Sequence, residues 1–190
     1  MQKIMNREEG FTGLEAAIVL IAFVVVAAVF SYVVLGAGFF TTQKSQEVVY
    51  TSVDMASSSM EILGDVYGLG TNNTVTTIRF TVGLSAGGTA VDFDTTQMVF
   101  ATSSVVEILP ADDPLYDTNG TSAGHWCIVD GASANDVLLE GDDKFTIVAM
   151  PSTALGVNTK FNLEVRPSVG SPLGLKRTTP PKIDAVNLLY

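Results

Sequence analysis

Residues 16–40 read AAIVLIAFVVVAAVFSYVVLGAGFF and carry no charged side chain. A helix rises about 1.5 Å per residue, so this stretch would extend about 37 Å, more than the roughly 30 Å of a bilayer's hydrocarbon core. A cleaved secretory signal has a shorter apolar region of about 7–15 residues, followed by a small-residue cleavage site. The stretch therefore predicts a helix of membrane length that stays part of the protein.

Apolar residues continue at helical spacing beyond this stretch, at Val49, Val53, Ala56, Met60 and Leu63. Steps of three and four residues place them along one face of a helix that is otherwise polar. We therefore predict a single helix over residues 11–64. Gly36 and Gly38 lie near its middle and predict a bend or local melting, because a glycine costs about 1 kcal/mol in a helix interior.

From residue 72 onward the pattern is that of a β-domain. Ile78, Phe80 and Val82 alternate with polar residues, as in a half-buried strand. Further segments predicted as strands are Val91–Phe93, Met98–Thr102, Val105–Leu109, His125–Val129, Val137–Leu139, Phe145–Ala149, Phe161–Val165 and Ile183–Leu189. Many short strands without alternating helices favour a sandwich or barrel over a parallel nucleotide-binding sheet. The predicted fold class is α+β, a long N-terminal hydrophobic helix followed by an antiparallel, immunoglobulin-like β-sandwich or barrel over residues 72–190.

Composition excludes several classes of protein. The 190-residue chain has a formal charge of −10, from 20 acidic and 10 basic side chains. No Lys/Arg cluster is present to bind phosphates, so composition disfavours a nucleic-acid binder and no nucleic-acid partner is predicted. One cysteine and one histidine supply neither an intrachain disulfide nor a Cys/His metal site. Residues 51–190 hold 16 acidic and 7 basic side chains, which predicts a hydrophilic head on an apolar stalk.

The sequence His125-Trp126-Cys127 gathers the single His, the single Trp and the single Cys of the chain. On a strand, His125 and Cys127 would share a face, which raises the hypothesis of a nucleophile or a metal ligand. No second His or Cys and no orienting group completes such a site. A core or interface strand with an inert thiol is the favoured interpretation, and no enzyme activity is predicted.

An oxygen-rich segment between residues 112 and 120 could hold calcium. Asp113, Asp117 and Asn119 are the candidate ligands, since carboxylate and amide oxygens suit Ca²⁺. Compared with the EF-hand loop, Leu115 occupies the first ligand position and no Glu closes the loop. A solvated acidic turn is favoured, and no other cofactor is predicted.

The N-terminus resembles a known processing region. A short charged leader ends in Gly10 and is followed by Phe11, with Glu15 five residues past Gly10. This arrangement is similar to type IV pilin-like precursors. The segment FTGLEAAIVLIAFVVVAAVFSY at 11–32 and the tail KRTTPPKIDAVNLLY at 176–190 further resemble archaellins, the archaeal flagellins. Glu15 departs from many archaellins and is similar to the glutamate of bacterial pilins.

The resemblance implies a subunit of the archaellum, the swimming filament of archaea. A prepilin-peptidase-like enzyme would remove residues 1–10, and residues 11–64 would form the filament core. The expected partners are copies of this chain and sister archaellins, the archaellum assembly platform and its ATPase motor, and transiently the membrane. The expected location is a surface filament, preceded by a membrane-anchored precursor.

Packing of such a core would use several helix positions. Small residues permit close approach of helices, and the apolar stripe continues the contact. The predicted packing residues are Gly13, Glu15, Ala17, Ala22, Ala28, Val49, Val53 and Met60. Two interpretations of Glu15 stay open, because a carboxylate in an apolar segment either finds a partner, such as a neighbour's N-terminal amine, or stays hydrated.

Two Asn-x-Thr triplets predict N-glycosylation at Asn72 and Asn119, both in expected surface turns. Unmodified turn asparagines are the alternative. Two other functions also stay open: an archaeal adhesion pilin, and an extracellular binding module on a simple membrane anchor. The short leader and the long helical stripe argue against a simple anchor.

Overall fold

The structure is a computed structural model that describes the backbone of residues 2–57 and 59–190 and the side chains of residues 13–53, 55 and 59–190. The chain divides into two compact units, Met1–Thr51 and Ser52–Tyr190. The first unit is helical. The second unit, called the head below, contains the strands.

Helix α1 runs from Gln2 to Ser57 without interruption. The local melting expected at Gly36 and Gly38 is wrong, since both lie within the continuous helix. Two hydroxyls donate back to the carbonyls of this region: Thr41 Oγ1 to Ala37 O at 2.8 Å and Thr42 Oγ1 to Gly38 O at 2.9 Å. Leu35 and Ala37, which are strong helix formers, lie directly beside the two glycines, and the helix continues through them.

The predicted end of the helix at residue 64 is also wrong. Met60 lies in a strand, paired with Leu84, and only 7% of it is exposed. Leu63 donates its N–H to Thr81 O at 2.8 Å, and its side chain lies over Gly83. The spacing of three and four residues is therefore coincidental beyond Ser57, because Met60 belongs to the core of the head and Leu63 packs on β3 at Gly83. The head accordingly begins before residue 72.

The described residues of the head form thirteen strands. Their bounds are β1 Met60–Ile62, β2 Tyr67–Thr71, β3 Thr74–Leu84, β4 Val91–Asp92, β5 Gln97–Thr102, β6 Val106–Leu109, β7 Ala111–Tyr116, β8 His125–Asp130, β9 Leu138–Leu139, β10 Lys144–Met150, β11 Lys160–Arg166, β12 Leu173–Thr178 and β13 Val186–Leu188. All nine predicted strand segments overlap one of these strands. Four strands were not predicted: β1, β2, β7 and β12.

Two main sheets enclose the core. The larger has the order β13-β2-β3-β10-β8-β7, with β1 also paired to β3, and the smaller has the order β12-β11-β5-β6. Strands β4 and β9 form a separate pair. Every pair is antiparallel except β7 with β8, which is parallel. The predicted α+β class, a long helix followed by an antiparallel sandwich, is confirmed.

Aromatic rings fill the space between the sheets. Phe93 contacts Trp126 and Phe145 edge to face, with ring centroids 6.2 and 5.4 Å apart, and Phe100 stacks on Phe161 at 6.0 Å. Phe93, Phe100 and Trp126 are fully buried. Such pairs add about 0.5–1.5 kcal/mol beyond the area they bury. The head thus has a complete core of its own.

Phe93→Ala is expected to lower the free energy of unfolding of the head by about 3–5 kcal/mol, because it removes a fully buried ring that joins two others. Trp126 is the single tryptophan and is buried, so its fluorescence in denaturant reports unfolding of the head in the full chain. Val106→Ala is the control, since Val106 is 74% exposed. Equal midpoints for the two variants would contradict the assigned core.

Candidate assembly interface and surface sites

Helix α1 exposes an apolar surface along most of its length. Every described side chain from residue 13 to residue 53 is exposed. From Leu14 to Phe40 the large apolar side chains have exposed fractions between 53% (Val34) and 79% (Tyr32). Among the described residues, one segment has the length and composition to cross a membrane, the 41 residues Gly13–Val53.

This exposure is too costly to persist in water. Each large apolar side chain gains about 1.5–3 kcal/mol on burial, so the helix as a whole stands to gain tens of kcal/mol. That exceeds the roughly 5–15 kcal/mol that stabilises an ordinary folded domain. Lipid or other apolar helices must therefore cover the uncharged stretch of α1, residues 16–40, on all its sides.

The predicted packing residues fall into two groups. Gly13, Glu15, Ala17, Ala22, Ala28, Val49 and Val53 all lie exposed on α1. A Cβ added at Gly13 would meet nothing within 4 Å, so this position is open to a neighbouring helix. Met60 is the exception, because it is buried in β1 of the head and cannot pack in a helical core.

The predicted cleavage site, Gly10 and Phe11, lies within the backbone span of α1. Its side chains are outside the part of the chain whose side chains the structure describes. Cleavage between these residues stays a prediction.

The segment His125-Trp126-Cys127 opens β8. Trp126 and Cys127 are fully buried, and His125 is half-buried. His125 Nδ1 lies 3.4 Å from both Ser122 Oγ and Ala123 O, and Cys127 Sγ lies 3.8 Å from Asp117 O. Burial, followed by the charges of Asp112 and Asp117, raises the pKa of the Cys127 thiol to about 11. A thiol that stays protonated is a poor nucleophile.

Cys127 is expected to react with iodoacetamide at pH 8 at least about a hundredfold more slowly in the native chain than in denaturant, because the raised pKa leaves that much less thiolate. Mass spectrometry of timed samples measures the rate. The control is Ser103→Cys in a Cys127→Ser background, since Ser103 is exposed. Equal rates of alkylation of the two cysteines in the native chain would disprove the interpretation that the Cys127 thiol is inert.

The predicted calcium ligands are arranged differently from expectation. Asp112 and Asp113 lie on β7, where neighbouring side chains point to opposite faces. Thr121 Oγ1 donates to Asp112, so Asp112, rather than Asp113, faces the turn that contains Asp117. Asp117 Oδ1 accepts from both the N–H and the Nδ2 of Asn119, at 2.8 and 2.9 Å. No group of three or more His, Cys, Asp or Glu among the described residues could hold a metal ion, and calcium binding stays a prediction.

The two predicted glycosylation sites differ in their surroundings. Asn72 and Asn73 form the tip of the β2–β3 hairpin with φ of 53° and 61°, a conformation that asparagine tolerates. Asn72 is exposed at this tip. Asn119 is also exposed, but its amide nitrogen donates to Asp117. Modification of Asn119 would have to break this hydrogen bond.

A helix of membrane length, exposed and apolar on all sides over residues 16–40 and followed in the chain by a hydrophilic β-sandwich head, fits a protein that is anchored by its helix or polymerises through it. Comparison with known proteins identifies the family. The model of the archaeal-type flagellin family matches residues 10–177. The chain is 40% identical to Probable flagellin 1 of Archaeoglobus fulgidus, over 98% of both chains.

Solved structures agree with this family. The chain matches the archaeal flagellum of Methanospirillum hungatei with a TM-score of 0.76 and 32% identity, over 94% of this chain and 99% of that one. It matches the crystal structure of flagellin FlaB1 from Methanocaldococcus jannaschii with a TM-score of 0.56 and 12% identity, over 68% and 95%, which shows a common fold. The chain belongs to the archaeal-type flagellin family, and it is a structural subunit of the archaellum filament for motility.

Proposed function

We propose that this flagellin joins the filament by moving α1 from the membrane into a core made of α1 helices from other copies and from sister flagellins. The observation that carries the proposal is the exposure of the whole span Gly13–Val53. Lipid and a bundle of similar helices cover such a helix equally well. The helix can therefore leave one for the other without exposing its surface to water.

Removal of the leader prepares this transfer. Residues 1–10 carry Lys3, Arg7, Glu8 and Glu9, and charges are costly in an apolar core unless they are paired. The match to the family model begins at residue 10, next to the proposed cut between Gly10 and Phe11. A prepilin-peptidase-like enzyme at the membrane makes this cut. The assembly platform and ATPase motor of the archaellum then add the subunit to the filament.

Small residues set the spacing of helices in the core. Ala17, Ala22 and Ala28 let neighbouring backbones approach closely, and Val49 and Val53 continue the contact toward the head. Glu15 lies one turn beyond Phe11 and pairs with the N-terminal amine of a neighbouring processed subunit. Pairing would offset the cost of a carboxylate in this apolar segment.

The head lies at the filament surface and carries N-linked glycans. Asn72 is the stronger acceptor, because it is exposed at a hairpin tip, whereas the amide of Asn119 is held by Asp117. The role of the chain is structural. Asn72 and Asn119 serve as sites of modification and have no catalytic role.

Intact-mass measurement and N-terminal sequencing of filaments sheared from cells test this proposal. We expect the chain in filaments to begin at Phe11, with excess mass on the peptide that contains Asn72. The membrane fraction of the same cells is the control, in which precursor beginning at Met1 should be found. A chain that is absent from filaments and begins at Met1 in membranes would overturn the proposal.

A further inference from the structure

Three of the seven basic side chains in residues 51–190 surround one depression in the head. Lys160, Lys176 and Arg177, on β11 and β12, line an open hollow of about 370 Å³ that we call the basic depression. The ion pairs formed within the described residues include none of the three. Glu164, on the same strand as Lys160, is already bound by Arg166 at 2.9 Å. No ion pair among the described residues therefore neutralises the depression, although the charge of Lys176, after the contact with Arg166, also helps to lower the pKa of Glu164.

The floor of the depression is also incomplete. Asn162 lies opposite Lys176 in the β11–β12 pair and lines the same hollow. Its Oδ1 is buried and has no hydrogen-bond partner. A buried acceptor without a donor is destabilising, so this part of the depression is less stable than its surroundings.

Five exposed carboxylates occupy another part of the head. They belong to residues 130–143, a segment without Lys or Arg, and are Asp130, Asp136, Glu140, Asp142 and Asp143. We call this set the acidic end. Asp142 and Asp143 lie in the turn that leads into β10, where Asp143 N–H donates to Glu140 O at 3.0 Å. The basic residue nearest to this segment in sequence is Lys144, which directly follows Asp143.

Topology places the basic depression and the acidic end at opposite ends of the smaller sheet. At one end of β5, Thr102 pairs with Phe161, next to Lys160. The other end of β5 begins at Gln97, shortly after β4, and β4 pairs with β9 inside the acidic segment. Six residues of strand separate these ends by about 17 Å. The head therefore carries the basic depression at one end of the smaller sheet and the acidic end near the other.

We propose that the basic depression of one head binds the acidic end of a second copy of this chain in the same filament. This contact rests on the proposed function, because it needs copies brought side by side by the α1 core. The two surfaces are different and lie at opposite ends of one domain, so the contact continues from copy to copy and does not close on itself. Complementary charge would fix the register of neighbouring heads.

Charge reversal in the full-length chain tests the contact. In about 0.1 M NaCl, the chain carrying Lys160→Glu and Lys176→Glu is expected to form at least about tenfold less pelletable filament than wild type. The reason is that the depression would then repel the acidic end of a neighbouring head instead of attracting it. In about 1 M NaCl the difference should shrink, since the screening length falls from about 10 Å to about 3 Å. Adding Asp142→Lys and Asp143→Lys to the same chain should restore the filaments by exchanging the two charges.

Arg79→Glu with Lys182→Glu is the charge-matched control, since both residues are exposed in the head, lie outside the depression and change the net charge equally. Lys182 loses its ion pair with Asp184 at 2.8 Å, and such an exposed pair contributes little to stability. This control should assemble like wild type. Trp126 fluorescence confirms that the head is folded in each variant. Normal filaments from the Lys160/Lys176 variant, or no rescue by the exchange in folded chains, would overturn the contact. Absence of the wild-type chain from filaments would instead overturn the proposed function.

Discussion

Gly10→Phe is expected to leave the whole of the chain as uncut, membrane-held precursor and to abolish its filaments. A peptidase must bring its catalytic groups against the backbone at the cut, and glycine permits this approach because it has no side chain. The uncut chain would also carry Lys3, Arg7, Glu8 and Glu9 into the apolar core. Membrane and sheared fractions analysed by intact mass measure both effects.

Gly10→Ala is the matched control, because a single methyl group at the same position should retain cutting and filaments. The readout is specific for processing, since neither change touches the head. Trp126 fluorescence should be the same in both variants. Filaments of normal abundance built from uncut Gly10→Phe chains would disprove processing as a condition for assembly.

The apolar helix could be predicted from the sequence because its signal is local. The uncharged stretch over residues 16–40 is long and apolar enough for a membrane helix, and this property does not depend on the rest of the chain. The end of the helix could not be predicted in the same way. Met60 and Ile62 become a strand only because β3, some twenty residues later, offers its edge to them.

Two of the four unpredicted strands in the head, β7 and β12, contain few apolar residues. Strand β7, with the sequence ADDPLY, has no alternation of apolar residues, and strand β12, with LGLKRT, alternates only at Leu173 and Leu175, which is too short a pattern to predict a half-buried strand. Both lie at the edge of a sheet, where pairing on one side suffices and charged residues and proline are tolerated. Their existence depends on partners elsewhere in the chain.

Surface sites show the same limit. Spacing along the chain suggested Asp113 as a partner of Asp117, but strand alternation turns Asp112 toward the turn instead. Lys160 and Lys176 are sixteen residues apart in sequence, and only the β11–β12 register brings them to one hollow. Charge counts predicted an acidic head, whereas separation of the charges into two ends requires the topology.

Ala22→Arg is expected to reduce filament yield by about a hundredfold, because Ala22 lies in the middle of the uncharged stretch. A charge at the centre of a membrane helix costs about 2.5–3.5 kcal/mol even where the side chain can reach toward water. In a core of packed helices the guanidinium would meet apolar neighbours on every side, and each added subunit would bear this cost again. The pelleted filament mass per cell, compared with wild type, measures the effect.

Gln43→Arg is the matched control, because it introduces the same side chain in the polar segment of α1 that follows Phe40. We expect its filament yield to stay near that of wild type. The heads of both variants should unfold at the same denaturant concentration, since neither residue belongs to the core of the head. If Ala22→Arg filaments were as abundant as those of Gln43→Arg, the apolar span of α1 could not be the buried core of the filament.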